Sequence, residues 1–570
     1  MKISRLILVL TAALIFAACG GGGGSVYDYP DDEENQAKTD NDKDSPEKED
    51  SENNDGDSSD PTNPANDNDP VDPTNPTDDT DSDTPDEDST EPEETSDFDI
   101  FDGEADFENA VFVDQFNGKD SHNGSMASPV KTLEKALQII NLDNKKQIIL
   151  AYGLFENIPN LNNEIAIIGG YFSSCNSEGE NCVWGESDDK PAFIVPSSGW
   201  LLSNRKNILL SNIKISSAKE NIPGGSSIGL VLDHCSNIRL QQVSIETKDG
   251  VDGADGANGA DGDNGGDGEN GNEGCEYSTA FFCSPTCSEP PAGGNGGNST
   301  CGAYGGKGGV PGEAKHNGYA GENGVGSTSN GGAGGTEKFW TDTAEACSRV
   351  ATQNANGGKG ADGANGAHGA GGSSYGKFSA YGYTPANGIS GENGQNGQGG
   401  GGGGGGRGGK ANCDSYGSSG GGGGAGGCGG KGGQGGGGGG ASISLIAVSS
   451  QNIYLDETTF QTGTGGNGGK GGQGGGIGLH GNGGEGGQYS GDADQDDGGC
   501  GGWGGDGGDG GIGGKGGGGG GGPTICLVTV KSTVFQSNIK CKRKAAGKGG
   551  TSQFSDGEDG YSANILEILE

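Results

Sequence analysis

Cations are scarce in this chain: Lys and Arg number 34 against 80 Asp and Glu, giving a net charge of −46 over 570 residues. Such a balance repels polyanions, so nucleic acid is not an expected partner. Apolar side chains are few as well, at 28% with 6% aromatic, and most of the length lacks the means to build an oily core. The signatures of cofactor and metal chemistry are missing. There is no phosphate-cradling loop, no zinc spacing and no period-nine calcium repeat, and the 5 His have no arrangement with Ser or Cys that makes a nucleophile. No cofactor is expected. The carboxylates on strand-like segments, Asp233, Asp456 and Glu457, fall on different repeats without a stacked acidic partner, and Asp188-Asp189 beside Lys190 reads as a solvated turn. Catalysis is therefore not expected.

What is present is unevenly spread. From Asp28 to Glu108 there are 34 acidic residues and three Lys, a net of −31. With almost nothing apolar to offset ordering entropy, residues 19–108 are expected to form a disordered, self-repelling linker, roughly 50 Å or more from end to end. Ahead of it, Met1 to Cys19 has Lys2 and Arg5, an apolar run too short for a membrane span, and small residues before Cys19, the pattern of a secretory signal over residues 1–18.

The folded part is organised around a match of the chain with itself. Ser227–Gly250 and Ser442–Gly465 align without a gap, and apolar residues coincide at Ile228/Ile443, Leu230/Leu445, Ile238/Ile453, Leu240/Leu455 and Ile245/Phe460. Asn207, Asn237 and Asn452 fall at equivalent positions and are expected to form a hydrogen-bonded ladder. Alternation at period two marks strands, and three short strands per repeat read as coils of a parallel β-helix, which bury their apolar faces only when stacked. Nearer the start, Leu133, Ala136, Leu137 and Ile140 share one helical face.

Between and after the matching coils lie glycine tracts. Gly recurs at every third position from Gly250 to Gly274, from Gly357 to Gly369 and from Gly388 to Gly397. A collagen triple helix relies on proline, absent from these stretches, but polyproline-II helices also have three residues per turn, and glycine lets them approach and pair their amides. A polyglycine-II bundle is expected, with its period-three side chains on the outer faces. The first tract leaves at Lys248 and the second at the aligned Gly463, so both are expected on one edge, packed as one body. Cysteines in an exported chain cross-link. Cys175 with Cys182 and Cys526 with Cys541 are the disulfide candidates, Cys235 is a candidate buried thiol, and spacing leaves open the pairing of Cys275, Cys283, Cys287, Cys301, Cys347, Cys413, Cys428 and Cys500.

Several resemblances extend this reading. Ala17-Ala18-Cys19 resembles a bacterial lipoprotein processing site, departing from it at Phe16, where the family usually has Leu, Val or Ile. It implies a lipid on Cys19, membrane attachment through that lipid and, with Gly20 following, sorting to the outer membrane. Gly118, Asp120, Gly124-Ser125, Pro129, Thr132-Leu133 and Ala136-Leu137 resemble the opening of right-handed parallel β-helix domains of the pectin-lyase-like superfamily, which implies an N-terminal capping helix over the first coil. Gly169-Gly170-Tyr171 followed by Cys175, Cys182 and Trp184 is similar to a loop of solenoid surface proteins from environmental bacteria. The glycine tracts look like those of mycobacterial PE-PGRS proteins, a springtail antifreeze protein and some phage tail-tip adhesins.

The expected fold class is all-β. The expected order is signal 1–18, linker 19–108, β-helix 109–247, glycine-rich insertion 248–440, one coil 441–462, second insertion 463–522 and C-terminal β-helix 523–570. The expected function is a non-enzymatic cell-surface lipoprotein that binds a glycan or cell-surface partner through loops carrying Tyr304, Tyr319, Trp340, Tyr375, Tyr381 and Tyr383. The alternatives are a carbohydrate-active enzyme on the solenoid and an ice-binding or structural surface protein, the ice-binding form disfavoured by Lys, Asp and Glu at period three.

Overall fold

The computed structural model describes residues 103–569, except 157, 188–191, 197–198, 218–220, 276, 279–283, 286–288, 314–315, 327–346, 350–351, 410–415 and 489–497. The signal peptide, Cys19, the linker before Gly103, Asp188-Asp189-Lys190, Trp340, Cys283, Cys287 and Cys413 lie outside the described residues. Regular structure is almost entirely strand, in the order β1 (Ala110–Val113), α1 (Leu133–Asp143), β2 (Gln147–Ala151), β3 (Gly153–Phe155), β4 (Ile165–Ser174), β5 (Val183–Glu186), β6 (Ala192–Ile194), β7 (Trp200–Ser203), β8 (Lys206–Ser211), β9 (Ile213–Ser216), β10 (Ser227–Asp233), β11 (Ser236–Gln241) and β12 (Ser244–Glu246). There follow the small hairpin strands β13 (Tyr277–Ser278), β14 (Ser284–Pro285), β15 (Lys377–Ser379) and β16 (Gly382–Thr384), then β17 (Ser442–Val448), β18 (Gln451–Asp456), β19 (Thr459–Gln461), β20 (Thr524–Val530), β21 (Val534–Ser537), β22 (Lys540–Lys542) and β23 (Ser562–Ile568).

Three parallel sheets result, ordered β1-β2-β4-β8-β11-β18-β21 with β5 added antiparallel on β4, then β3-β6-β9-β12-β19-β22, and β7-β10-β17-β20-β23. Each of the triplets β7–β9, β10–β12, β17–β19 and β20–β22 gives one strand to every sheet and so forms a rung. The register reproduces the self-match. Ile228 pairs with Ile443 and Leu230 with Leu445, Ile238 with Ile453 and Leu240 with Leu455, and Ile245 with Phe460. A slip of one residue would turn the interior members of this set, Leu230, Ile238, Leu240 and Ile245, toward solvent, which is why the long insertion between β12 and β17 leaves the pairing unshifted. Leu230, Leu232, Ile238, Leu240 and Ile245 are buried with their equivalents in one continuous core.

Residues in the left-handed conformation stack at the rung corners. Asn207, Asn237 and Asn452 all have φ of 55°, Asn237 Nδ2 donates to Asn207 Oδ1 at 3.0 Å, and Asn452 Nδ2 donates to Asn237 Oδ1 at 3.1 Å, forming the expected ladder. Two further columns, Asn204-His234-Ser449-Lys531 and Asn212-Gln242-Glu457-Asn538, share that conformation. There the stack imposes it on side chains that seldom choose it.

Helix α1 covers the first rung with Leu133, Ala136, Leu137, Ile139 and Ile140, all buried against Val111, Ile148 and Leu150. Its start is fixed by Thr132, whose hydroxyl accepts the Lys135 N–H at 3.2 Å, and by Asp120, which accepts the Lys131 and Thr132 N–H groups at 3.0 Å. At the other end β21, β22 and β23 are edge strands with no helix over them among the described residues. Disulfides join Cys175 to Cys182 and Cys526 to Cys541, and also Cys301 to Cys428 and Cys347 to Cys500. Cys235 is a buried free thiol 3.2 Å from the Leu202 carbonyl oxygen, and burial pushes its pKa up.

The glycine-rich segments pack as one body. Gly250 N–H donates to the Thr464 carbonyl at 2.8 Å, and the bond recurs at every third residue, from Gly253, Gly256 and Gly259 to Asn467, Lys470 and Gln473 and onward to Gly271 with Glu485. Run 417–441 is central. It is hydrogen-bonded to runs 250–275, 293–298, 303–312, 386–408, 463–488 and 498–522, and its residues 417–430 are all buried. Backbone groups thus find partners in neighbouring runs rather than within their own. A shorter excursion, 543–561, joins the body after β22, with Gly547 and Gly550 donating to Gly522 and Gly519. These residues lie within 523–570, the segment expected to be C-terminal β-helix.

The exposed side chains between glycines on run 250–275 also bind backbone. Asp249, Asp252, Asp255, Asn258, Asp261, Asn264, Asp267 and Asn270 each accept the N–H of the residue opposite, from Thr464 to Glu485 in steps of three, at 2.6 to 2.8 Å. The glycine that follows donates to the carbonyl of that same residue, so each triplet clamps both backbone groups of its neighbour. Asn356, Asp362 and Asn365 clamp Trp503, Asp509 and Ile512 in the same way. The expectation of outward-facing side chains holds from Asp249 to Asn270, where every clamping side chain but the half-buried Asp249 is exposed, and is corrected in the central run, where Ala425 and Cys428 are buried.

Two carboxylates of the glycine body, Asp249 and Asp509, are held below their ordinary pKa. The Thr464 N–H, helped by Lys544, does this for Asp249, and the hydrogen bond from His480 does it for Asp509. A carboxylate lowered in the folded state contributes stability that is complete above its unfolded pKa and is lost as pH falls through the folded one. The melting temperature is therefore expected to hold down to about pH 4 and to fall below it, a trend calorimetry across acid pH would measure. A flat profile to about pH 2.5 would remove these two carboxylates from the account of stability.

Candidate recognition site

The hairpin β15–β16 has a hydrophobic reason to exist, because the outer face of the β7–β23 sheet is apolar. Ile228, Val231, Ile443, Ile446, Ile525 and Val528 form a cluster on that face, and Phe378 and Tyr383 pack onto it. Phe378 pairs with Tyr383 across the hairpin, their rings 5.5 Å apart, and Tyr375 lies 5.9 Å from Tyr561. Burial pushes Tyr383 up to about 12, and its hydroxyl accepts the Gly376 N–H at 3.2 Å. The tight turn at Gly382, with φ of 99°, lifts the neighbouring Tyr381 away from the sheet. Tyr381 is 95% exposed.

Beside that ring lies a groove of about 410 Å³ where the hairpin, the sheet and the glycine body meet, lined by Ile222, Pro223, Ser226, Tyr381, Pro385 and Asn387. Asn387 Oδ1 accepts the Gly438 N–H at 2.8 Å, and Ser226 Oγ accepts the Ala441 N–H at 3.0 Å. The Asn387 amide N–H groups and the Ser226 hydroxyl hydrogen thus remain as donors. A free aromatic face next to fixed polar donors suits a ligand with an apolar face and a rim of hydroxyls. Among the other aromatic residues singled out from sequence, Tyr375 stacks on Phe378 of the same hairpin, Tyr304 and Tyr319 are exposed elsewhere on the body, and Trp340 lies outside the described residues.

The carboxylates considered for catalysis are engaged elsewhere. Asp233 accepts from Ser203 Oγ at 2.7 Å and is paired with His234, Asp456 is paired with Arg239 at 2.8 Å, and Glu457 accepts from Gln242 at 3.1 Å. A pairing that sequence reasoning missed brings Glu134 of α1 and Glu156 to one cleft of about 620 Å³, with Asn160 and Trp200. Among the described residues no cluster of His, Cys, Asp and Glu is arranged to hold a metal, and no helix is long and apolar enough to cross a membrane. Comparison with protein families, with curated proteins and with solved structures found no match to this chain.

Proposed function

We propose that the protein is a non-enzymatic surface lipoprotein, anchored in the outer membrane through a lipid on Cys19. In this reading a right-handed parallel β-helix carries a polyglycine-II body and binds a glycan or cell-surface partner at the hairpin groove. The sharing of strand triplets among three parallel sheets supports the β-helix, and bonds between runs at period three support polyglycine II. The observation that carries the binding role is the split within one hairpin: Tyr383 is spent on pinning it, while Tyr381 is left bare over a polar groove.

Binding of the full chain to a glycan array and to whole cells tests this. Tyr381→Ala is expected to weaken binding about tenfold or more, as for an aromatic hot spot, at unchanged melting temperature. Binding that survives the change would move the site elsewhere. The Glu134–Glu156 cleft favours a second reading, a polysaccharide hydrolase. Release of reducing ends that disappears in Glu156→Gln would establish that reading instead.

A further inference from the structure

The β3–β22 sheet gathers charge on the outer face of its last rungs. Ile245, Phe460 and Cys541 pack in the core, and the residues that follow them, Glu246, Gln461 and Lys542, stand in register on the outside. Lys214 lies on the same face one rung earlier, opposite Ser244. Two residues further along the chain come Lys248 after β12, Gly463 after β19 and Lys544 after β22, where the rungs are still joined by Thr247 N–H to the Gln461 carbonyl and Thr462 N–H to the Lys542 carbonyl, both 2.9 Å. A Cβ on Gly463 would strike the Lys248–Asp249 peptide, so no side chain fills the space between the two lysine rungs. A groove of about 380 Å³ remains, with Glu246, Lys248, Asp249, Gln461 and Lys544 in its wall.

Positive charge exceeds negative here. Lys214 pairs with Glu246 at 2.8 Å and Lys544 with Asp249 at 3.4 Å, whereas Lys248 and Lys542 form no ion pair among the described residues. The hydrogen bond from Lys214, followed by the charges of Lys214, Lys248 and Lys544, holds the Glu246 carboxyl below its ordinary pKa. The last rung is basic throughout, since residues 531–548 hold Lys531, Lys540, Lys542, Arg543, Lys544 and Lys548 and no Asp or Glu. Lysine on an edge strand deters pairing with another sheet, which accounts for Lys540 and Lys542 of β22. It does not account for Lys248, two rungs inside the edge. The groove also keeps acceptors in reserve: Gln461 Nε2 donates to Glu246 at 3.4 Å and leaves Gln461 Oε1, and Asp249 Oδ1 takes both Thr464 N–H and Lys544 and leaves Asp249 Oδ2.

We propose that this groove binds an acidic saccharide, its carboxylate or sulfate held between Lys248 and Lys544 and its hydroxyls donated to Gln461 Oε1 and Asp249 Oδ2. The mixture of groups selects that chemistry. An anion without hydroxyl hydrogens gains from the ammoniums but meets two carboxylates at close quarters, and a neutral sugar satisfies the acceptors but leaves Lys248 unanswered. The net charge of −46 does not forbid it, because screening over about 8 Å confines the contest to the groove. None of the residues lining this groove lines the one beside Tyr381, so the site stands whether or not the hairpin binds anything.

Calorimetric titration of the full chain tests this, with trigalacturonate, a sulfated galactose disaccharide, the methyl ester of the first, the unsulfated parent of the second, and inorganic sulfate. One or both acidic sugars are expected to bind, the binder naming the acid, and its neutral counterpart to bind at least about tenfold more weakly, the loss of one charge-assisted contact. Lys248→Gln/Lys544→Gln is expected to weaken binding by a similar factor at unchanged melting temperature, since the exposed Lys544–Asp249 pair adds little to stability. Lys531→Gln, at another corner of the last rung, and Tyr381→Ala are expected to leave it unchanged. Failure of both acidic sugars to bind would overturn the proposal, as would neutral counterparts that bind equally well. Inorganic sulfate binding as tightly as the sugars would reduce the groove to a simple anion sink, and binding lost in Tyr381→Ala but kept in the double lysine variant would place the ligand at the hairpin; either result refutes the assignment.

Discussion

Gly475→Ala is expected to break the glycine body, while the same change one residue later, Gly476→Ala, leaves it intact. Gly474, Gly475 and Gly476 are identical to a reader of the sequence, yet they meet different surroundings. A Cβ on Gly475 would run into the backbone carbonyl of Ala260, and no rotamer relieves a clash with backbone. On Gly476 it would meet only the Asp261 carboxylate that accepts its own N–H, at 3.2 and 3.6 Å, the far end of a side chain rather than backbone. The first change must push two runs apart and lengthen several bonds, including Gly475 N–H to the Lys431 carbonyl, now 2.8 Å. A loss of about 3–5 kcal/mol in denaturant unfolding is expected. The second restricts the unfolded chain at an open site and is expected to gain about 0.4–1 kcal/mol. Equal effects at the two positions would contradict close packing of the runs.

Removing the long-range disulfides is expected to have the next largest effect. Cys301–Cys428 and Cys347–Cys500 close separations of 127 and 153 residues, against 7 for Cys175–Cys182. Loops of that length remove about 4–5 kcal/mol of unfolded-state entropy, and glycine-rich chain has more freedom to lose than most. Cys428 sits in the central run and Cys301 in the turn between two of its neighbours, so the cross-link fixes which runs lie together. Urea titration of Cys301→Ser/Cys428→Ser is expected to show about 4 kcal/mol less stability than wild type, and Cys175→Ser/Cys182→Ser clearly less of a loss. The reverse order would sink the entropic account.

Both results bear on what was legible beforehand. The pairing of β10 with β17 could be read because Ile228, Leu230, Ile443 and Leu445 repeat the same alternation, and stacking like on like preserves it. The corners at His234, Ser449, Glu457 and Lys531 could not, since none of these side chains advertises a left-handed backbone and only the rung above dictates it. The clamps were within reach: the offset of 215 that separates Asp249 from Thr464 is also the offset between Ser227 and Ser442, so carrying the self-match past Gly250 would have exposed them. The division between Tyr381 and Tyr383 was not, because it depends on an apolar sheet face far away in sequence. The basic run 531–548 was hidden by an average, its six cations submerged in a net charge of −46.

The two-handed grip of each Asp-Gly or Asn-Gly pair on the strand opposite works like the teeth of a zip fastener. A body built this way changes size by whole teeth, three residues gained or lost on facing runs together. One stray residue in either would leave every later tooth out of step. Descendants of this chain should therefore differ in reach by multiples of about 9 Å, the advance of one extended triplet, while the sheets beneath them stay the same.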